Sequence, residues 1–531
     1  MGIEPTYSAW KAAALPLSYT RVALSIRGLG GWCKHPSLDD VTPARQAGRM
    51  IDLRPVANTI GKLVVTLGAA MALPMFVDLF HADPNWKSFF EAGVLCAVIG
   101  SLIVFATHSN DKSLTLQQVF VLTNGLWIVL PLFGALPFMI GAPHVGFTDA
   151  FFESMSGLST TGTTAFAQLD TLPKGTHLWR ALLQWLGGLG IIVVAMIFLP
   201  VMKVGGMQFF RSEGFDTLGK ILPRAFDIAM ETTLVYIFMT GACAITFIIL
   251  GMNGFDAVFH ALTTCSTGGF SNHDASFGAY PGAPQLAAAF FTILAALPFL
   301  RMVQLVRGDA MPLYQDAQVR AFLRWMFYAI SAIVLYRIAW LQAENPLHVI
   351  RETIFNVVTL TSGTGFGSSD VTQWGHFPFA ILIIMGMIGG CTGSTACSIK
   401  VFRYLVLLQA IRAQIRRMHS PHRVFPITLQ GRPLAPDVVG SVMAFFTTFM
   451  LAFGLLIVAL ALTGLHPRTA LTGAWAMIAN IGPVWGPEVS GNGAIDQFPN
   501  ASKRLMITGM YLGRLELLSV LVLLYPRFWR Q

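Results

Sequence analysis

The chain has 531 residues, 54% hydrophobic and only 11% charged, which is too little polar surface for an ordinary soluble protein of this size and places it in a bilayer. Its net charge of +9 does not point to nucleic acid, because Lys and Arg fall mostly in short stretches between hydrophobic segments, as the positive-inside rule requires. The six cysteines contain no CxxC pair and five lie in or beside apolar segments, which argues against a disulfide or zinc framework.

Residues 1–55 are polar and basic, with Lys11, Arg21, Arg27, Lys34, Arg45, Arg49 and Arg54, and hold no apolar run long enough to span or to form a signal-peptide core. They read as a cytoplasmic tail. Met50 stands just before the first membrane segment, so an optional extension or a misplaced start is an open reading of residues 1–49 beside that of a genuine tail. Apolar runs long enough to cross ~30 Å of hydrocarbon then occupy 57–80, 89–107, 117–141, 180–202, 230–251, 285–306, 321–342, 377–410, 437–463 and 503–525. This predicts ten crossings.

Four shorter apolar stretches, 147–158, 254–265, 350–361 and 468–479, are too short to span, and each ends at a small polar run. The runs are Ser159-Thr160-Thr161-Gly162-Thr163-Thr164, Cys265-Ser266-Thr267-Gly268-Gly269-Phe270, Ser362-Gly363-Thr364-Gly365-Phe366-Gly367 and Ala479-Asn480-Ile481-Gly482-Pro483. Non-helical backbone at membrane depth is tolerated only where it lines a wet cavity or is buried in protein, so these read as re-entrant half-helices followed by pore loops. Glycine lets successive carbonyls turn to one side and replace the water around a dehydrated cation. Internal repetition supports the reading: Gly146-Phe147-Thr148-Asp149-Ala150-Phe151-Phe152 matches Gly254-Phe255-Asp256-Ala257-Val258-Phe259.

The predicted fold is an all-α polytopic membrane protein in which four helix, pore loop, helix repeats close a pseudo-fourfold, potassium-channel-like pore. The expected divisions are a cytoplasmic extension (1–55), two extra N-terminal helices (56–110), and pore repeats at 111–205, 206–310, 311–436 and 437–531. The third repeat carries an intramembrane loop at 389–398 and a basic cytoplasmic loop. Lys203, Arg211, Lys220 and Arg224, then Arg307, Arg320 and Arg324, then Arg403, Arg412, Arg416, Arg417, Arg423 and Arg432 mark the cytoplasmic side. With ten crossings both termini share that side, and the pore loops enter from the other.

Taken in order, Phe151-Phe152-Glu153-Ser154, Leu183-Gln184-Trp185-Leu186-Gly187-Gly188, Gly268-Gly269-Phe270-Ser271-Asn272-His273-Asp274-Ala275-Ser276, Ile388-Gly389-Gly390-Cys391-Thr392-Gly393-Ser394-Thr395, Asn480-Ile481-Gly482-Pro483 and Gly513-Arg514-Leu515-Glu516 carry a specific likeness. From about residue 55 to the C-terminus the chain resembles the Trk/Ktr/HKT superfamily of potassium transporters, most closely its bacterial TrkH-type subunits. The resemblance implies a one-chain pore, homodimeric, in the bacterial inner membrane, with K+ as the transported ion and no organic cofactor. It also implies a cytoplasmic ring of TrkA-type regulatory subunits that bind NAD(H) or ATP. The present chain has no GxxxxGK[ST] or dinucleotide fingerprint, so a nucleotide belongs on that partner.

For the filter, the resemblance implies that carbonyls beside Gly162, Gly268, Gly365 and Gly482 coordinate the ion, with Thr161, Thr267 and Thr364 adding hydroxyls and Asn480 and Ile481 completing the fourth loop. The plainer alternative is packing glycines, which are common in membrane helices, but recurrence after each of four half-helices argues against it. These loops hold less glycine than the TVGYG of potassium channels, so looser discrimination against Na+ is expected. Val484 and Trp485 depart from the family pattern and leave the fourth loop's geometry open.

Gly389, Gly390, Cys391, Thr392, Gly393, Ser394 and Thr395 break the long eighth segment, since glycine is a poor helix former. By resemblance this is a gate under the filter; a simple glycine kink is the alternative. Ala396, Cys397 and Ser398 replace glycines of relatives, which predicts a stiffer C-terminal hinge. Arg514 lies in the last segment, where an ionisable group is costly. It is expected to act as a positive barrier below the filter, to tether the gate, or to pair with Glu516 or another buried carboxylate. Glu153, His273 and Asp274 fit either an electrostatic or bracing role at the outer mouth or plain structural hydrogen bonding; Gln184 and Trp185 read as packing.

Two functions follow. The first is the ion-translocating subunit of a potassium uptake system, conducting K+ inward under cytoplasmic control. The second is a cation-coupled K+/Na+ or K+/H+ symporter with alternating access, although such folds show inverted repeats and these four enter from one side. An enzyme is not indicated: there is no HExxH, no GxSxG and no pair of carboxylates on one apolar helix.

Overall fold

In hydrocarbon every backbone N–H and C=O must find a partner within the protein, and the helix is the one local solution. The computed structural model describes residues 51–108, 114–197, 225–341 and 345–529. The cytoplasmic tail expected before residue 51 and the whole of the basic link at 203–224 lie outside the described residues. What is described is mostly helix joined by loops; the strand pairing among the described residues is a two-residue hairpin, Thr428–Leu429 with Arg432–Pro433, turned through Gln430 and Gly431 at positive φ.

The first two helices, α1 (Arg54–Phe80, kinked at Met71) and α2 (Trp86–Ala106), form an antiparallel pair. A Cβ added to Gly61 would lie 2.9 Å from the Gly100 carbonyl oxygen, and one added to Gly68 would lie 2.9 Å from that of Gly93. Small residues at matching seven-residue intervals therefore let the two backbones touch. Then follow α3 (Leu116–Ile140), the short α4 (Phe147–Leu158), α5 (Lys174–Ile197), α6 (Ala225–Ile249), the short α7 (Gly254–Cys265), α8 (Ala283–Ala295), α9 (Phe299–Val306), α10 (Ala317–Ala339) and α11 (Pro346–Ser362). The chain closes with α12 (His376–Ile388), α13 (Val401–His419), α14 (Pro436–Leu462), α15 (Pro467–Ala479), α16 (Asn500–Arg514) and α17 (Leu518–Leu523).

Among the described residues seven helices are long and apolar enough to span, or eight if the bent pair α8 and α9 counts as one. Each of the ten expected apolar runs coincides with described helix over most of its length, the fourth being described only to Ile197, and three are sharply interrupted. The first break falls at Leu297-Pro298, where the chain turns by 100° because proline lacks an N–H and disfavours helix in the residue before it. The second runs from Gly389 to Lys400, where Gly389, Gly393, Ser398 and Lys400 all have positive φ. The third lies at Leu515–Leu517, with Glu516 at φ 55°. All three breaks meet at one place.

Candidate functional site

The four short helices α4, α7, α11 and α15 end alike. Each reaches a residue in the left-handed region, Thr160, Thr267, Gly363 and Asn480 at φ 54°, 50°, 85° and 51°. In three loops a glycine at positive φ follows two positions later: Gly162, Gly269 and Gly365, at 92°, 77° and 78°. Gly482 takes the corresponding place in the fourth. The N–H groups of Thr161, Gly268 and Ile481 each donate to the carbonyl five residues earlier, at 2.9, 2.9 and 2.8 Å, which caps the helix end.

This geometry shifts the second loop by one residue from the expected alignment. Gly269 is the structural counterpart of Gly162 and Gly365; Gly268 matches Thr161 and Thr364; and Thr267 matches Thr160. The written sequence invites Thr-Gly to be set on Thr-Gly. A threonine at positive φ is rare enough that the true match is hidden.

The four loops abut in cyclic order. The space a side chain would take at Gly162 is filled by the carbonyl oxygen of Gly268, and that at Gly269 by the carbonyl oxygen of Thr364. A Cβ on Gly365 would lie 2.8 Å from the Gly482 nitrogen, and one on Gly482 would lie 3.2 Å from the Thr161 oxygen, which closes the circle. The Thr163 hydroxyl donates to the Gly482 carbonyl at 2.5 Å, and the Asn480 amide donates to the Thr161 hydroxyl at 3.0 Å. The threonine hydroxyls expected to face an ion all have protein partners: Thr161 with Ser159 at 2.7 Å, Thr364 with Ser362 at 2.9 Å, and Thr267 with the Ser266 carbonyl at 2.7 Å.

Each short helix also sends at least one polar side chain to the segment leaving its loop, with different chemistry in each case. Glu153 accepts from the Ala165 N–H at 2.8 Å and the Thr164 hydroxyl at 3.0 Å. His260 reaches the Ser271 hydroxyl at 3.3 Å, Asn356 donates to Ser368 at 2.7 Å, and Thr472 accepts from the Trp485 N–H at 3.1 Å. Glu153 is fully buried and is paired with the equally buried Arg180 at 2.8 Å. Arg180 in turn donates to the Ser271 carbonyl at 2.8 Å and lies 4.3 Å from the Phe270 ring centroid, so one ion pair ties the first loop to the second. Gln184 is more than packing: its amide donates to the Gly268 carbonyl at 2.6 Å and accepts from the Phe270 N–H at 3.1 Å. The sequence signal was a run of polar residues, Arg180 and Gln184, one helical turn apart in an apolar segment.

Outside the ring lies a cavity of about 930 Å³ whose floor includes Gly162, Gly269, Gly365 and Gly482. On its wall Asp274 accepts from the Leu169 N–H at 2.9 Å and from Asn492 at 2.9 Å, which makes it a brace between loops. His273 bridges Asp170, at 2.7 Å, and the Tyr280 hydroxyl, at 2.9 Å. Burial, the largest single influence, would raise the Asp170 carboxyl, but the hydrogen bonds from His273 and Asp274 and the charge of His273 together hold the group below its ordinary value.

On the other side of the ring the three breaks converge. Ending α8 at Pro298 frees the carbonyls of Ala295 and Ala296, and the loop 389–400 satisfies them: the Cys391 N–H donates to Ala296 at 2.9 Å and the Thr395 hydroxyl to Ala295 at 3.0 Å. The first N–H of α9, on Phe299, donates to the Gly393 carbonyl at 2.9 Å, and the Thr392 N–H donates to Gln318 at 3.0 Å. The loop also reaches the bottom of the ring. Thr395 donates to the Cys265 carbonyl at 3.3 Å, Ser398 to that of Ala479 at 3.2 Å, and the Cys397 thiol lies 3.6 Å from the Thr160 hydroxyl. Gly390 packs on Ala296, and Ser394 closes a turn onto the Cys391 carbonyl at 2.6 Å.

Arg514, buried at the end of α16, touches the Cys397 thiol and donates to the Gly187 carbonyl at 3.2 Å. Its guanidinium lies 5.3 Å from the Trp127 ring centroid. The expected alternative pairing with Glu516 is not what the structure holds: Glu516 pairs with Arg403 at 2.5 Å, because the break at Leu515–Leu517 turns its side chain toward α13. Among the described residues Arg514 makes no ion pair.

Comparison with known proteins agrees with this architecture. The family model TrkH, described as a cation transport protein, matches residues 85–530. The Trk system potassium uptake protein TrkI of Halomonas elongata is 37% identical, over 90% of this chain and 97% of its own length. The Trk system potassium uptake protein TrkH of Escherichia coli K12 is 33% identical, over 90% of this chain and 99% of its own. The crystal structure of the potassium transporter TrkH from Vibrio parahaemolyticus superposes with a TM-score of 0.84 at 31% identity, covering 90% of this chain and all of that one. With nearly the whole length matched in sequence and in fold, the chain belongs to the TrkH family of cation transport proteins and is a multi-pass membrane protein.

Proposed function

We propose that this protein is the ion-translocating subunit of a potassium uptake system. The observation that carries the reading is the ring of four loops in which each glycine accepts the backbone of the next, with an aqueous cavity on one side and a folded loop on the other. A K+ ion entering the cavity sheds water and is held by main-chain oxygens of the ring, at the level of Thr161–Gly162, Gly268–Gly269, Thr364–Gly365 and Ile481–Gly482. Because the threonine hydroxyls are engaged within the protein, the main chain does the coordinating. The Gly268 oxygen already accepts from Gln184, which leaves it a weaker ion ligand and fits modest discrimination against Na+.

The loop 389–400 is the gate in this reading, blocking the path below the ring until α12 and α13 move apart. Arg514 holds it there and adds a positive charge on the path. The pore repeats 111–205, 206–310, 311–436 and 437–531 supply one loop each, with 56–110 as two flanking helices. The basic segments set the gate side in the cytoplasm of a bacterial inner membrane. A TrkA-type nucleotide-binding ring docks there, and two copies of the chain form the working dimer.

The test is flux in liposomes containing only the purified chain. Uptake of K+ down its gradient, electrogenic and without any imposed Na+ or H+ gradient, is the expected result; uptake strictly dependent on one of those gradients supports the symporter instead.

A further inference from the structure

Between the first turns of α10 and the middle of α13 lies a groove of about 350 Å³, lined by no residue of the ring or of the loop 389–400. Its rim carries Arg320, Arg324 and Arg412 with Gln409, and its walls are apolar, including Trp325 and Leu408. All three arginines are exposed. Arg320 donates to the Gln315 carbonyl at 3.0 Å, while Arg324 and Arg412 have no hydrogen bond or ion pair with any described residue. Three guanidinium groups left without a carboxylate repel one another, and a shared anion relieves that repulsion.

We infer that this groove binds the phosphate headgroup of an anionic phospholipid. Guanidinium groups match phosphate oxygens in a bidentate manner, and the Gln409 amide adds a neutral donor beside them. The lipid, rather than a free anion, is indicated by the surface next to the groove. On α13, Leu408, Ile411, Ile415 and Met418 repeat at helical spacing and are 41%, 46%, 61% and 76% exposed. The same helix exposes Arg412, Arg416 and Arg417. A basic helix with one bare apolar stripe lies in the boundary between headgroups and acyl chains. Trp325 packs edge-on to Tyr404 at 6.3 Å, an aromatic pair of the kind that anchors at a membrane interface. The acyl chains then run along the Leu408 wall while the phosphate sits among the arginines.

The test uses the full-length purified chain in detergent, followed by native mass spectrometry during titration with phosphatidylglycerol, phosphatidylcholine or inorganic phosphate. The parent protein is expected to retain phosphatidylglycerol in preference to phosphatidylcholine. The triple change Arg320→Gln, Arg324→Gln, Arg412→Gln is expected to weaken that retention at least about tenfold, since each arginine near an anionic headgroup is worth roughly fivefold. Ala321→Trp fills the groove without changing charge and is expected to weaken retention as well, which covers the case of a poorly folded triple variant. Arg423→Gln with Arg432→Gln, outside the groove, should leave retention unchanged. Equal retention of both lipids, retention unaffected by either groove variant, or loss of bound lipid to millimolar inorganic phosphate would each overturn the assignment.

Discussion

The guanidinium of Arg514 rests on the thiol of Cys397, joining the break in the last membrane segment to the loop that lies beneath the ring. Neither group has a carboxylate to hold it, so the contact is a buried cation against a soft, polarizable sulfur, backed by the Gly187 carbonyl. Replacing Arg514 by Gln removes a charge-assisted interaction worth about 2 kcal/mol. The closed arrangement should weaken correspondingly, and basal K+ flux into liposomes should rise about tenfold or more. Deleting residues 390–395 should raise leak further, and a deletion variant no leakier than its parent would exclude the gate.

The buried pair Glu153 and Arg180 makes a second prediction, on stability. Glu153→Gln leaves the fully buried Arg180 without its counter-ion, at a cost of about 3–5 kcal/mol. Thermal unfolding in detergent should show a clear loss. The double variant with Arg180→Met should recover part of it, because the stranded charge is then gone.

The second loop distinguishes two neighbouring glycines. Gly269 sits at positive φ with the Thr364 carbonyl in its side-chain position, so Gly269→Ala meets rigid backbone and should abolish K+ uptake. Gly268 lacks the positive φ, and its obstruction is the amide of Gln184, a side chain that can move. Gly268→Ala should be milder, and Gln184→Ser should restore part of the loss. Equal effects at the two glycines would return the register to the Thr267–Gly268 alignment.

A pH effect is expected at the fourth loop's outer segment. Burial raises the Glu488 carboxyl, but the Thr469 hydroxyl and the His466 N–H, the latter at 2.8 Å, outweigh it and hold the group below its ordinary value. A depressed folded-state pKa gives stability that is present above the ordinary glutamate value of about 4.3 and is lost as pH falls through the lower folded value. Glu488→Gln should therefore be less stable than the parent at pH 7, and the two melting curves should converge in acid.

Most of the helices were legible because hydrocarbon leaves a chain few options: every apolar run expected from the sequence has a helix at its place, often within three residues at its start. The half-helices 147–158, 254–265 and 468–479 match α4, α7 and α15 because a glycine or proline opens each and a small polar run ends it. The breaks were harder. Gly389 announced one, but the interruption at Leu515–Leu517 contains no glycine or proline, and only the position of Arg514 and Glu516 hints at it. The site was legible as a list and not as a geometry. Nothing in the sequence says that Gln184 reaches the Gly268 carbonyl 84 residues away, or that Glu516 turns to Arg403 and leaves Arg514 to a cysteine. Those partners are set by which broken ends need capping, a tertiary matter that spacing along the chain does not encode.

The most direct measurement is K+ and Na+ uptake by a host lacking its own potassium systems, expressing the parent or single Gly→Ser changes at Gly162, Gly269, Gly365 and Gly482. The account predicts lost uptake or a lower preference for K+ at the first three. It predicts the mildest effect at Gly482, where an added Cβ would sit no closer than 3.2 Å to its neighbours. Unchanged uptake and unchanged K+ preference in all four variants would contradict a main-chain filter built from this ring.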